Sequence, residues 1–149
     1  MTAKRKAMRY PTDKEILSLH RYFFWAGCMR FQFFERLRAA KNDHERSNAH
    51  FLEPYLPYYY AGMYILAEGW KRLQLADSGI DVLLDAKRLA LLEHFRNGVY
   101  HFHPEYYDEK FRGFWAQGRG IHKWSDELFL AFDAFFRGWF SRRAEQRAR

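Results

Sequence analysis

The sequence predicts an all-α fold, an antiparallel bundle of four main helices plus one short extra helical segment. Three observations carry this. Apolar residues recur at spacings of three and four along most of the chain. Strand signals are nearly absent, with no long period-two alternation and no strand–turn–strand pattern. With 149 residues, 48% of them hydrophobic and 20% aromatic, the chain can bury one core but not comfortably two. Residues 1–149 therefore read as one domain. The same composition excludes a disordered chain, and nine Gly and four Pro are too few for a collagen-like or low-complexity one. No internal repeat is found.

Thr12 and Glu15 form a Thr-x-x-Glu capping box ahead of an apolar-rich run. Ile16, His20, Phe23, Phe24, Gly27, Phe31 and Phe34 then mark one face of a long first helix, widened by Tyr22, Trp25 and Phe33. Residues 41–48 are polar and read as a loop. Pro54 and Pro57 open a second helix, because proline suits a first helical turn and disfavours helix before it. Tyr59, Met63, Leu66, Trp70 and Leu73 are its stripe.

Asp77-Ser78-Gly79 ends that helix, and Ser78 with Asp81 caps a third. Ile80, Leu84, Leu91 and Phe95 carry the third helix to about Arg96, where Asn97-Gly98 reads as a break or end. Pro104 opens the short segment, 105–115, and 117–120 is a loop. Trp124, Leu128, Ala131, Phe132, Phe135 and Trp139 stripe the last helix.

The formal charge of +7 raises the expectation of an anionic partner, but its placement weakens it. Residues 1–9 contribute +4 and residues 141–149 contribute +3, leaving residues 10–140 balanced. Segments 1–11 and 141–149 read as flexible basic tails. Any phosphate attraction from such ends is salt-dependent. The single cysteine, Cys28, excludes an intrachain disulfide and a Cys-based zinc site and fits a reducing compartment. It reads as a small buried apolar residue. The basic start lacks an apolar signal region, and the longest charge-free stretch, 54–67, is too short for a membrane span. The chain reads as soluble and cytoplasmic, without a membrane partner.

The segment carrying the most chemistry is Leu91-Leu-Glu-His-Phe-Arg96-Asn-Gly-Val-Tyr-His101-Phe-His103-Pro. With 17 Arg and 7 His, an Arg-x4-His spacing arises by composition alone roughly 0.8 times. The weight lies in Asn97 directly after the arginine, the late position in an all-α chain, and the apolar frame. Here the chain resembles the HEPN superfamily, all-α domains whose nuclease members carry an Arg-polar-x3-5-His motif. Arg96-Asn97-Gly98-Val99-Tyr100-His101 has the form of its arginine–asparagine variant. The motif covers six residues, and the helical pattern extends the resemblance over about 12–140.

The resemblance implies metal-independent RNA cleavage with no cofactor. His101 would serve as base on a ribose 2′-hydroxyl or acid on the leaving 5′-oxygen, imidazole chemistry suited to neutral pH. Arg96 would hold the scissile phosphate and stabilise its developing charge, and Asn97 would orient the histidine or a phosphate oxygen. The resemblance also implies a homodimer with the site where two copies meet, a toxin- or defence-like setting, and an antitoxin or other partner protein. A break at Asn97-Gly98 is a departure, since a kink would either converge or separate Arg96 and His101.

Other readings of these residues stand beside it. His103 is a working histidine or an auxiliary. His101, His103 and Glu105, with His94 or Asp108, have the donor types of a metal cluster. Arg96 can also be a cation interacting with a helix C-terminus, with the histidines on a solvated loop. A non-catalytic helical module binding a protein or nucleic acid is then the alternative function. The five tyrosines between Tyr55 and Tyr64 stack bases or pack as core. Phe111 to Trp115 shapes the site or anchors a loop, and His20 reads as a core histidine.

Overall fold

The computed structural model describes residues 9–106, 109–116 and 119–149, and among these every regular element is a helix. The four longest are α1 (Asp13–Ala39), α3 (Tyr55–Arg72), α5 (Ala86–Tyr100) and α7 (Arg119–Arg147). Three shorter ones are α2 (Asp43–Phe51), α4 (Ser78–Asp81) and α6 (Glu109–Trp115). Two short helices beyond the expected one are thus present. None of the helices among the described residues is long and apolar enough to cross a membrane.

Side-chain pairs give the helix directions. Gly69 lies against Leu19 and Gly62 against Ala26, so α3 runs antiparallel to α1. Tyr58 meets Tyr100 and Tyr64 meets Arg96, which makes α5 antiparallel to α3. Arg30 pairs with Asp126 at 3.1 Å while the His20 ring meets Phe136, so α7 runs against α1. Tyr59 reaching Ser125 and Trp70 reaching Phe132 show that α7 is parallel to α3. The order is up–down–up–down, with α3 packed against α1, α5 and α7.

Local chemistry explains the elements. Thr12 caps α1 as expected: its hydroxyl accepts the Glu15 N–H at 3.3 Å and the Glu15 carboxylate accepts the Thr12 N–H at 2.8 Å. The α3 stripe is also as expected, with Tyr59, Met63, Leu66 and Trp70 buried. In α7, Trp124, Leu128 and Phe132 are buried, joined by Phe136.

On α1 the buried side is Ile16, Leu19, Phe23, Ala26 and Phe33, while Phe24 and Phe31 are exposed. The expected face is therefore partly turned to solvent. Cys28, expected in the core, is exposed on this same helix.

The segment 41–48, expected as a loop, contains most of α2. Asn42 caps it by accepting the Glu45 N–H at 2.9 Å, and Ala49 packs into the core. The third expected helix is divided into α4 and α5. The cap of α4 is Asp77, not Ser78, and Asp85 caps α5 by accepting the Arg88 N–H at 2.8 Å. α6 begins at Glu109 rather than Glu105.

The basic stretch at the end, expected as a tail from 141, stays helical to Arg147. Arg143 there pairs with Asp13 and stacks on Trp139. Residues 1–8 and 117–118, including the other basic end and part of the expected loop, lie outside the described residues.

α1 and α3 approach closely at Gly62, where a Cβ would stand 3.0 Å from the Ala26 Cβ. A branched side chain has nowhere to go between α1 and α3. Gly62→Val is expected to lower stability by about 1–3 kcal/mol, measured as a reduced urea midpoint. An unchanged midpoint would refute this account of the contact.

Candidate functional site

The candidate site is built on the second half of α5. Leu89, Leu92, Phe95 and Gly98 face the core, which turns Arg96 and Tyr100 toward α3. The helix does not break at Asn97-Gly98: it is regular to Tyr100, and His101 is the C-cap with φ −120° and ψ 133°. Gly98 serves packing instead, since a Cβ there would lie 3.0 Å from Phe111 Cζ and 3.2 Å from Lys110 Cβ. α6 can sit on α5 only because this position is bare. Phe111, Phe114 and Trp115 of α6 surround the Phe95 ring with centroid distances of 5.5, 4.6 and 5.5 Å. The aromatic segment is therefore an anchor that fixes the end of α5.

Arg96 is half-buried with its guanidinium carbon 4.9 Å from the centre of the Tyr64 ring. Its Nε is fully buried without a hydrogen-bond partner, and no described carboxylate forms an ion pair with it. A buried donor of this kind is costly when left unpaired. Burial, with the Glu93 carboxylate nearby, pushes the Tyr64 hydroxyl above the usual phenol value, against the opposing pull of Arg96. Burial likewise raises Tyr100, whose hydroxyl also feels Tyr58 and Arg96. The cation thus acts on two phenols at once.

Asn97 is half-buried, and its backbone carbonyl accepts the His101 N–H at 3.1 Å. Its tie to His101 is through the main chain. The His101 side chain is exposed and no hydrogen bond joins it to Arg96. Five residues of regular helix leave the two positions about 140° apart around the axis. One copy of the chain therefore does not converge them. His103 turns away to α6, its Nε2 accepting from Lys110 Nζ at 3.4 Å.

His101, His103 and Glu105 do not gather, and no cluster of three or more metal-donor side chains exists among the described residues. Exposed His94 adds nothing to such a cluster, and Asp108 lies outside the described residues.

Beside the site runs an apolar groove of about 490 Å³ lined by Tyr22, Trp25, Met29, Tyr58, Ile65 and Tyr100, among others. Of the five tyrosines, Tyr59 and Tyr60 are core, Tyr64 seats Arg96, and Tyr55 and Tyr58 stand at this groove. The His20 ring is half-buried against Phe136 and Phe140, as a core histidine would be, and burial lowers its pKa.

A second histidine cluster had no local sequence signal. His50 of α2 and His122 of α7 lie edge to face with centroids 6.0 Å apart. The buried Tyr60 hydroxyl, kept protonated by its burial, is hydrogen-bonded with His122 Nδ1, and His50 Nδ1 meets the Arg46 carbonyl at 2.8 Å. Burial foremost, then His50, lowers the His122 pKa, with Asp126 opposing.

A base whose folded pKa is depressed gives stability that is present above its unfolded pKa. That stability is lost as pH falls through the folded value. The urea midpoint is expected to drop as pH is lowered from about 7 to about 5, with a shallower drop in His122→Gln. Identical slopes would show that His122 is not responsible.

No family model, curated protein or solved structure matches the chain.

Proposed function

We propose that this chain is a metal-independent endoribonuclease of the HEPN type. Two copies form the working unit in a toxin- or defence-like cytoplasmic setting, opposed by an antitoxin or other partner protein. The observation that carries the reading is Arg96. It is held over Tyr64 with a buried, unpaired Nε and no described carboxylate in an ion pair with it, five residues before the exposed His101. A cation so placed is available to an anion, and a guanidinium matches two phosphate oxygens at once. Because the straight α5 leaves Arg96 and His101 on different sides, a second copy is needed to bring one chain's arginine to the other's histidine.

The chemistry follows from those groups. The ribose 2′-oxygen attacks phosphorus and its proton passes to a base; the 5′-oxygen leaves and receives a proton. His101 supplies one of these transfers, while Arg96 stabilises the charge on the phosphoryl oxygens. Asn97 holds the start of the His101 segment through its carbonyl, and His103, held by Lys110, is an auxiliary at most. The products are a 2′,3′-cyclic phosphate and a 5′-hydroxyl, made without metal or cofactor.

The test is incubation of purified protein with RNA in EDTA and analysis of the new ends. The reading expects cyclic-phosphate ends and no cut where the attacking nucleotide is 2′-deoxy. Cleavage that requires added metal, or cuts that tolerate the 2′-deoxy substitution, would overturn it. A second reading, a non-catalytic helical binding module, is favoured by the apolar groove at Trp25, Tyr58 and Tyr100. It expects retention of a partner without any cleavage.

A further inference from the structure

The outer face of α1 is apolar without an intrachain reason. Leu17, Phe24 and Phe31 are 45%, 61% and 57% exposed, and Trp25 beside them is 52% exposed. Their spacing is seven residues. Arg21, Cys28 and Glu35 form a second row at the same spacing, so the two rows interleave in steps of four and three. The spacing is that of helices that pair along their length, with one row apolar and the other carrying a charge at each end about Cys28. It covers residues 17–35, a rise of about 27 Å at 1.5 Å per residue. α2, α3 and α7 pack on the other sides of α1, and a contiguous exposed apolar row marks an interaction surface.

We infer that this face of α1 is a self-association seam, where α1 of a second copy packs antiparallel about Cys28. The charges select both partner and direction. Arg21 stands seven residues before Cys28 and Glu35 seven after it. An antiparallel copy therefore brings each Arg21 toward Glu35 of the other copy, whereas a parallel one sets like charges together. Among the described residues of one chain, Arg21 donates to the Ser18 hydroxyl at 3.3 Å and lies over the Tyr22 and Trp25 rings, and Glu35 pairs with its neighbour Arg38.

The inference shares with the proposed function only that two copies meet; RNA cleavage does not enter it. It adds a surface on which two copies meet, the side of α1 turned away from the Leu19 and Ala26 contacts with α3.

The test combines light scattering with a short bismaleimide on the full chain, whose only thiol is Cys28. The expected result is a dimer joined in high yield through Cys28. Phe24→Glu with Phe31→Glu, both at exposed positions, should keep the helical circular dichroism. It should weaken the dimer at least about tenfold and remove the cross-link. Arg21→Glu should weaken association and Arg21→Glu with Glu35→Arg should restore it, a reversal that a folding defect cannot produce. A chain that stays monomeric overturns the inference. So does a dimer that survives the Phe24 and Phe31 substitutions and fails to cross-link. RNA cleavage is assayed on the same samples: the expected cross-linked dimer without cleavage overturns the proposed function alone, and cleavage by a dimer that survives the substitutions and fails to cross-link overturns this inference alone.

Discussion

Trp70→Ala is expected to remove about 3–5 kcal/mol of stability, the range for deleting a large buried aromatic side chain. Trp70 is 1% exposed and joins three elements. Its ring meets Phe132 and Phe135 of α7 at 5.7 and 4.8 Å, and its Nε1–H donates to the Asp81 carboxylate in α4 at 2.9 Å. The other oxygen of that carboxylate accepts the Asp77 N–H at 2.9 Å, closing the turn into α4. Truncation would leave a cavity between α3 and α7 and release one end of this clasp.

Trp70→Phe keeps most of the packing and loses the donor. Its expected cost is only about 1–2 kcal/mol, since Asp81 keeps its backbone partner. Urea unfolding followed by circular dichroism measures both. Equal losses in the two variants, or less than about 1 kcal/mol in the alanine variant, would show that Trp70 is not the keystone its contacts imply.

The stripe that contains Trp70 is legible in the sequence because α3 is buried on most of its circumference. Any spacing of three or four along it therefore finds core. The last helix is legible for a similar reason, since Trp124, Leu128 and Phe132 all reach the interior. α1 is harder. It carries aromatic residues almost all round, so spacing alone cannot tell the side packed on α3 and α7 from the side turned outward. Spacing therefore predicts Phe24, Phe31 and Cys28 inward, and the structure exposes them.

α2 is polar over most of its length and buries only Ala49, so hydrophobic periodicity misses it. Its available signal is the Asn42-x-x-Glu45 cap, with Glu45 also accepting the Lys41 N–H at 2.7 Å.

The candidate site shows the same division. Arg96, Asn97 and His101 are contiguous in sequence and could be read directly. Gly98 could not, because a glycine after asparagine looks the same whether it ends a helix or admits a neighbour. Only the position of Phe111 against Gly98 distinguishes the two. Tyr64, the seat of Arg96, lay within the tyrosine cluster but carried no mark separating it from Tyr59 or Tyr60. His50 and His122 are 72 residues apart, and nothing local joins them before the bundle forms.

The larger expected effect is on chemistry. On the proposed reading, Arg96→Ala removes the guanidinium that holds the phosphate and His101→Ala removes the proton-transfer group. Each is expected to reduce RNA cleavage by about 10²–10⁴-fold. Both should leave the fold intact, since His101 is exposed and half-buried Arg96 gives up its contacts with the Tyr64 ring and hydroxyl. Arg96→Lys should not restore activity, because an ammonium lacks the planar fork that grips two phosphate oxygens.

The most direct measurement compares wild type, Arg96→Ala and His101→Ala on one RNA in EDTA, at matched circular dichroism. The account predicts cleavage by wild type that both substitutions abolish. Undiminished cleavage by either folded variant, or no cleavage by the wild-type chain, would contradict it.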